Sequence, residues 1–560
     1  MKRLDSLAAL TILALLGSGC ASSVASGGHK ARLAFENDRF VDVHQAHSPS
    51  KKTSDANSYY FYVVSKLDHY EGDIEDALTN LGKAIELNQK SSFLEQERAR
   101  QNVEANRIDE ALASLKKSLS LDPKNEEAHL LMGKLYSARK QNKEAIDEYN
   151  EALRLDPSDE EAYASLAREY ILQKDFDRSL AVIQRLKKAV PDSVTASYYL
   201  GTIYSSFKKD YPKAVSAFKE ILQDNPDEVR AMQALGQLYL EKNQLREALQ
   251  VYSNLDKAMP DDIATQLRLG LIQYELKNYE AATESFQKIL EANPNSDRVQ
   301  YYLGVVYQTQ KKESPALAAY AQVPPDSSYF KDATLRSALI YQDQTRPQEA
   351  IDLLQKAIEK KSEVPEFYDV LATLYSSQRN YDGAMKVLNE GIKKFPKDDR
   401  LYFTLGILYD KKGDFEASIR QMKTALSINP KNAAALNYIG YSYAEKGIHL
   451  EEAFQLISEA AGLRPKDGFI LDSLGWIYFK RGDLPKALHY LLKAEELVPQ
   501  EPAVLEHLGD VYARRGSVKK AEDYYRRAKE LLEGRLKKDA EENENLVRVK
   551  EKLQGRFGLK

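Results

Sequence analysis

Cysteine is almost missing from this 560-residue chain: Cys20 is the only one, and no thiol follows it. That excludes a disulfide framework and any cysteine-built metal site. Tryptophan is as scarce, with Trp476 alone. The eight histidines are His29, His44, His47, His69, His129, His449, His489 and His507, and none pairs with carboxylates at metal spacing on one helix. His44 and His47 read as tether residues without a ligand. Long apolar runs are lacking too; the one sustained stretch, Leu7 to Gly17, is too short to span a bilayer permanently. No charge sign prevails: 80 Lys and Arg face 84 Asp and Glu, and a net charge of −4 selects no polyanionic partner. Nucleic acid is therefore not expected as a ligand. His-Glu-x-x-His, a phosphate-cradling glycine loop and a Gly-x-Ser-x-Gly elbow are all absent. The expectation is a chain with no catalytic residues, no metal, no cofactor and no small-molecule substrate.

What is present begins at the N-terminus. Met1-Lys2-Arg3 is a basic start, followed by the apolar run and Leu16-Gly17-Ser18-Gly19-Cys20. These residues resemble a bacterial lipobox, in which small residues precede a cysteine that becomes lipidated; Gly17 stands where leucine is usual. The resemblance implies a signal peptide over 1–19, with Cys20 as an acylated mature N-terminus that contacts a membrane through its acyl chains. Ala21 and Ser22 follow, without the second-position Asp of inner-membrane retention, which implies an outer-membrane location facing the periplasm. Residues 20–57, rich in Ser, Lys, Gly and His, then form a flexible tether spanning roughly 30–35 Å. A brief helix over residues 31–43 is the one element expected in it.

Beyond residue 57 the chain repeats itself, with a small residue at Ala77, Ala111, Ala145, Ser179, Ala214, Ala248, Ala282, Ala316, Ala350, Ala384, Ser418, Ala453, Ala487 and Ala521. The step is 34 apart from two steps of 35. Twelve residues earlier stands Gly or Ala, as at Gly133, Gly236, Gly270, Gly406 and Gly509, and three after that a tyrosine, as at Tyr136, Tyr239, Tyr307, Tyr375 and Tyr512. Proline falls between copies, as in Leu121-Asp122-Pro123 and Leu155-Asp156-Pro157. Apolar positions follow helical spacing, and proline ends one helix pair and admits the next. The pattern resembles the tetratricopeptide repeat, and it runs from residue 58 to about 535. The resemblance implies an all-α, right-handed superhelical solenoid of about fourteen helical hairpins, A and B, with a C-terminal capping helix. In such a hairpin the small residues let the helices approach. The tyrosines, and the aromatics four after the alanine (Tyr149, Phe218, Tyr252, Phe286, Tyr320, Tyr525), are expected to fill the gap between hairpins.

Irregularities suggest subdivision. Helix B of repeat eight runs early into Pro324-Pro325, so the expected arrays are 58–323 (repeats 1–8) and 324–535 (repeats 9–14). The two 35-residue steps place extra residues in the turns near Lys209-Asp210-Tyr211 and Gly447-Ile448-His449. Repeats one and two carry Ser65, Ala99, Asp68 and Asn102 at the signature positions, as expected of a terminus with one face in water. Residues 536–560 read as a capping helix and tail, with Leu536, Leu546 and Leu553 in period; a coiled-coil partner site is the alternative.

In the resembled family helix A lines a concave surface that receives a protein or peptide. Repeats three to ten place a mixed set there, including Lys134, Arg168, Gln233, Tyr274, Tyr301 and Asp369. Repeats eleven to thirteen concentrate aromatics with a few polar groups: Phe403, Ile407, Asn437, Tyr441, Phe469, Asp472, Trp476 and Phe479. Large aromatics supply contact area and the polar groups set register; core packing is the alternative reading of the same aromatics. Tyr62, Lys66 and Gln96 do not match the chaperone-tail clamp, and Val63, Glu97, Leu131 and Ser165 do not form the asparagine ladder of sugar transferases. The functional expectation is a non-catalytic envelope scaffold serving a secretin, pilus, outer-membrane-protein or polysaccharide-export assembly. The alternative is an accessory arm that recruits a cell-wall or polysaccharide enzyme.

Overall fold

The structure, a computed structural model, describes residues 54–535 and 542–555. Cys20, the tether with its expected helix, and Leu536 lie outside the described residues. The described residues form 29 α-helices and no strand; from Ser54–Glu71 to Phe176–Ala189, and again from Tyr211–Asp224 to Glu542–Leu553, each helix packs on the next. Twenty-eight of them make fourteen hairpins, from Ser54–Glu71 with Ile74–Leu87 to Pro502–Arg514 with Val518–Arg535; the last is Glu542–Leu553. No described helix is long and apolar enough to cross a membrane. Cα packing separates two compact units, Met1–Ala196 and Ser197–Lys560, with the division inside the helix Val194–Ile203.

Local chemistry sets each boundary. Asp122 ends helix B of repeat two and its carboxylate accepts the Lys124 N–H at 3.0 Å, an Asx turn around Pro123. Asn125 then caps the next helix, accepting the Ala128 N–H at 3.1 Å. Asp156, Ser158 and Asp159 repeat the arrangement one hairpin later. Between helices A and B the chain always reverses through a left-handed residue. Glycine takes it at Gly72, Gly413, Gly482 and Gly516; elsewhere Asn106, Lys140, Thr345 and their equivalents adopt φ near +60°.

The repeat's small residues have distinct jobs. The alanines opening helix B, from Ala77 to Ala487, are fully buried. The glycine on helix A faces the residue four after that alanine: a Cβ on Gly133 would lie 2.6 Å from the Tyr149 ring, one on Gly270 2.4 Å from Phe286, and one on Gly509 2.4 Å from Tyr525. The aromatic therefore fills its own hairpin as well as the expected gap to the next one, where Tyr252 accepts from Arg268 at 2.8 Å and Phe286 stacks on Tyr302 with ring centroids 6.2 Å apart. The helix A tyrosine does bridge hairpins: Tyr307 accepts from Gln287 at 3.2 Å and Tyr375 from Gln355 at 2.8 Å, both on the preceding helix B.

Two further expectations change. The extra residue of the first 35-residue step is absorbed within helix A, whose last turn, Tyr204–Lys208, widens into a π turn before Lys209 reverses the chain. At the second step the expected turn insertion is present, with Gly447 and His449 both left-handed. The polar signature of repeats one and two is not a water-facing terminus. Ser65, Asp68, Glu95, Gln96, Glu97, Gln101 and Asn102 are all buried. Four of them are bonded across hairpins: Gln101 donates to Ser65 at 2.9 Å, Gln96 to Glu127 at 2.6 Å, and Lys66 pairs with Glu97.

Helix B of repeat eight, Glu313–Ala321, has 9 residues where its neighbours Tyr279–Ala292 and Pro347–Lys360 have 14. Val323 is buried just before the proline pair.

Candidate functional site

Helices A of repeats eleven to fourteen are Asp399–Lys411, Ala433–Lys446, Gly468–Lys480 and Pro502–Arg514. The last three touch one another in succession, so their shared face is the tight inner side of this stretch. The helix Gly468–Lys480 shows why: Asp467 caps it, accepting the Phe469 and Ile470 N–H groups, and residues 468–477 are all buried apart from Phe469.

Trp476 is the centre of this face. It is 6% exposed, stacked on His507 at 4.0 Å and 16° and on Phe479 at 5.0 Å and 14°. Its indole Nε1 donates to Glu445 Oε2 at 2.8 Å, and the Lys480 ammonium lies 4.7 Å from its ring. His507 contacts Asp472 Oδ1 through Nδ1 at 2.9 Å, and Tyr441 is 6.2 Å from the same imidazole. Of the residues singled out in sequence, Tyr441, Asp472, Trp476 and Phe479 are thus brought together. Phe403 and Ile407 are half-buried at the edge of the same apolar cluster. Asn437 is half-buried, and its side-chain oxygen accepts no hydrogen bond. Phe469 stands apart, 57% exposed. Beside Ile407 lies a cavity of about 140 Å³, lined also by Thr373, Thr404 and Lys411, which is the size of a side chain.

The sequence reading missed the next repeat. Glu506 and Asp510 occupy the places in repeat fourteen that Asp472 and Trp476 hold in repeat thirteen. Both are buried and face the last helix. Arg548 donates to both Glu506 oxygens, at 2.6 and 2.8 Å, and Lys552 reaches Glu506 at 2.8 Å and Asp510 at 2.7 Å. Asp510 also accepts the Tyr525 hydroxyl at 2.7 Å. The repeat register would have shown the two acids, and the four-residue spacing of Arg548 and Lys552 puts both cations on one helix face. His507, one place off that register, gave no such signal.

The charges interlock. Burial opposes ionisation of Glu506, but Arg548 and Lys552 hold its carboxyl below the usual carboxylate range. Burial likewise disfavours charged His507, yet Asp472, with Asp510 and Glu506 behind it, raises its pKa above the ordinary value. Burial, with Glu445 and Asp472 nearby, pushes the Tyr441 phenol up. Among the described residues no three His, Cys, Asp or Glu side chains converge as a metal set. The arrangement is a cluster of stacked aromatic faces and buried, paired acids.

Two tetratricopeptide repeat family models match the chain, one over residues 102–165, 138–200 and 208–269, the other over 258–533. No curated protein matches it. Among solved structures it is similar to the Cut9–Hcn1 hetero-tetramer of APC/C, at 17% identity over 81% of this chain and 90% of that one, TM-score 0.34. A tetratricopeptide repeat protein from Parabacteroides merdae ATCC 43184 shares 17% identity over 45% of this chain and 99% of its own, TM-score 0.33. YrrB, a tetratricopeptide repeat protein with an unusual peptide-binding site, shares 23% over 33% and 95%, TM-score 0.28. With its phased hairpins and the two family models that match it, the chain belongs to the tetratricopeptide repeat family, whose arrays are protein–protein interaction scaffolds.

Proposed function

We propose that this protein is a non-catalytic docking scaffold, held at the bacterial envelope by acyl chains on Cys20, that aids assembly of an envelope complex of the secretin, pilus, outer-membrane-protein or polysaccharide-export kind. The observation that carries the scaffold reading is the succession of hairpins from Ser54 to Arg535, which commits each segment between those residues to the repeat architecture. The anchor is supported by the position of the only cysteine, directly after the apolar run and Gly17-Ser18-Gly19. The docking face is the inner side of repeats eleven to thirteen, with Phe403, Asn437, Tyr441, Phe469, Asp472, Trp476 and Phe479. The array is read as two runs, 58–323 and 324–535, parted where the short helix B of repeat eight meets Pro324-Pro325.

Palmitate labelling tests the anchor. The full chain is expected to label in cells and Cys20→Ser to remain unlabelled; an unlabelled wild type removes the anchor. Affinity purification of the intact protein tests the role. An envelope machine is the expected prey, a cell-wall enzyme would favour the accessory-arm reading, and recovery of cytoplasmic proteins alone would refute both.

A further inference from the structure

The helix Glu542–Leu553 does not merely cover the end of the array. Leu546 and Val549 are buried against Leu505, Leu508, Tyr525 and Leu532. Its other contact is ionic and ordered: Arg548 and Lys552, four residues apart, meet Glu506 and Asp510, also four apart. Those acids stand on the inner face at the positions that carry Asp472 and Trp476 one repeat earlier and Asn437 and Tyr441 before that. Arg548 also lies within electrostatic reach of Tyr441 and Glu445 in repeat twelve. The chain's own last helix therefore sits where a ligand of the groove would sit.

We propose that this helix is a resident ligand of the repeat 12–14 groove. Its external competitor is a basic amphipathic helix that presents two cations one turn apart beside an apolar edge, and binds by taking its place. The inference rests on reading the inner face as the docking surface.

Two physical points support exchange over permanence. The helix is 12 residues long, below the length at which helices hold their own in water, and among its described side chains, 544–553, only Leu546 and Val549 are buried. Burying ion pairs returns little net stability, because desolvation offsets much of the attraction. Covering the acids with a neutral helix is a different matter: Glu506 would be buried without its cations, and Asp510 would keep only the Tyr525 hydroxyl. The groove can therefore trade one basic helix for another but rejects a neutral or acidic one, which is a specificity rule built from repulsion.

The experiment uses the full chain and a fluorescent peptide of residues 542–555 as the probe. Wild type is expected to bind it at least tenfold more weakly than Arg548→Gln/Lys552→Gln, whose own helix is released. Val549→Ala loosens the same helix through its apolar edge and should also open the site, which guards against an effect of charge alone. A peptide carrying Arg548→Gln and Lys552→Gln should fail to bind the opened chain, and adding Glu506→Gln to that chain should weaken the native peptide. Equal affinity for wild type and both opened variants overturns the resident-ligand assignment; equal binding of the neutral peptide overturns the charge rule. Neither result depends on whether an envelope partner is recovered from cells, so failure here is distinguishable from failure of the scaffold reading.

Discussion

Consider Gly270→Ala. The added Cβ would lie 2.4, 2.8 and 2.9 Å from three Phe286 ring carbons, and Phe286 is fully buried. Overpacking a core of this kind costs about 1–3 kcal/mol. Replacing a mid-helix glycine by alanine returns about 1 kcal/mol of helix propensity. The net expectation is a loss of about 0–2 kcal/mol. Phe286→Leu alone should cost about 1–2 kcal/mol, as a large-to-small change. Together they should cost much less than the sum, because Ala opposite Leu is the pair that other repeats already use: Ala99 with Leu115, Ala338 with Leu354 and Ala372 with Leu388, each leucine fully buried. The coupling should be about 2 kcal/mol. Because a long repeat array does not unfold in one step, the assay is amide hydrogen exchange across Ile263–Ala292, read as local opening free energies. Additivity of the two changes within about 0.5 kcal/mol would refute the glycine–aromatic account.

Two other outcomes follow from local geometry. Thr345 is an exposed β-branched residue held at φ 57°, a conformation that costs about 1–2 kcal/mol without glycine, so Thr345→Gly should raise exchange protection across Phe330–Lys360 by about 0.5–1 kcal/mol after glycine's own entropy cost; unchanged protection would count against it. His507 faces Asp472 and Tyr441 from neighbouring repeats, Glu506 and Asp510 on its own helix, and Arg548 and Lys552 across from these acids. Its raised pKa means that its stabilisation is complete below the unfolded value of about 6.5 and is lost as pH rises through the folded value. Trp476 fluorescence should therefore titrate above about pH 6.5, with the transition absent in His507→Gln; a midpoint at or below about 6.5 would contradict the assignment.

Much of this fold is written in the chain itself. A step of 34 residues, a buried alanine, a glycine twelve places before it and an Asp-Pro stop are local signals, and each acts through the backbone or a nearest neighbour along the helix. They set the number of hairpins, their boundaries and the family. Even the glycine–aromatic pairing was present as a correlation at fixed spacing, though the contact of the ring with the glycine of its own hairpin, beside the gap to the next, was not, since period alone does not say which neighbours a ring touches. The site was less legible. Sequence register placed Tyr441, Asp472, Trp476 and Phe479 on one face, as found, but could not show that Trp476 is buried by His507 from the next repeat. Nor could it show that Glu445, Glu506, Asp510, Arg548 and Lys552 meet around it. Those contacts join residues 31 to 46 positions apart, and a charge reads as solvated surface until a partner from another repeat removes its water. The buried polar network of repeats one and two escaped for the same reason. Local propensity and spacing decided the hairpins; only the packing of one hairpin on the next decided which charges are buried, because burial needs a neighbour that the local sequence does not specify.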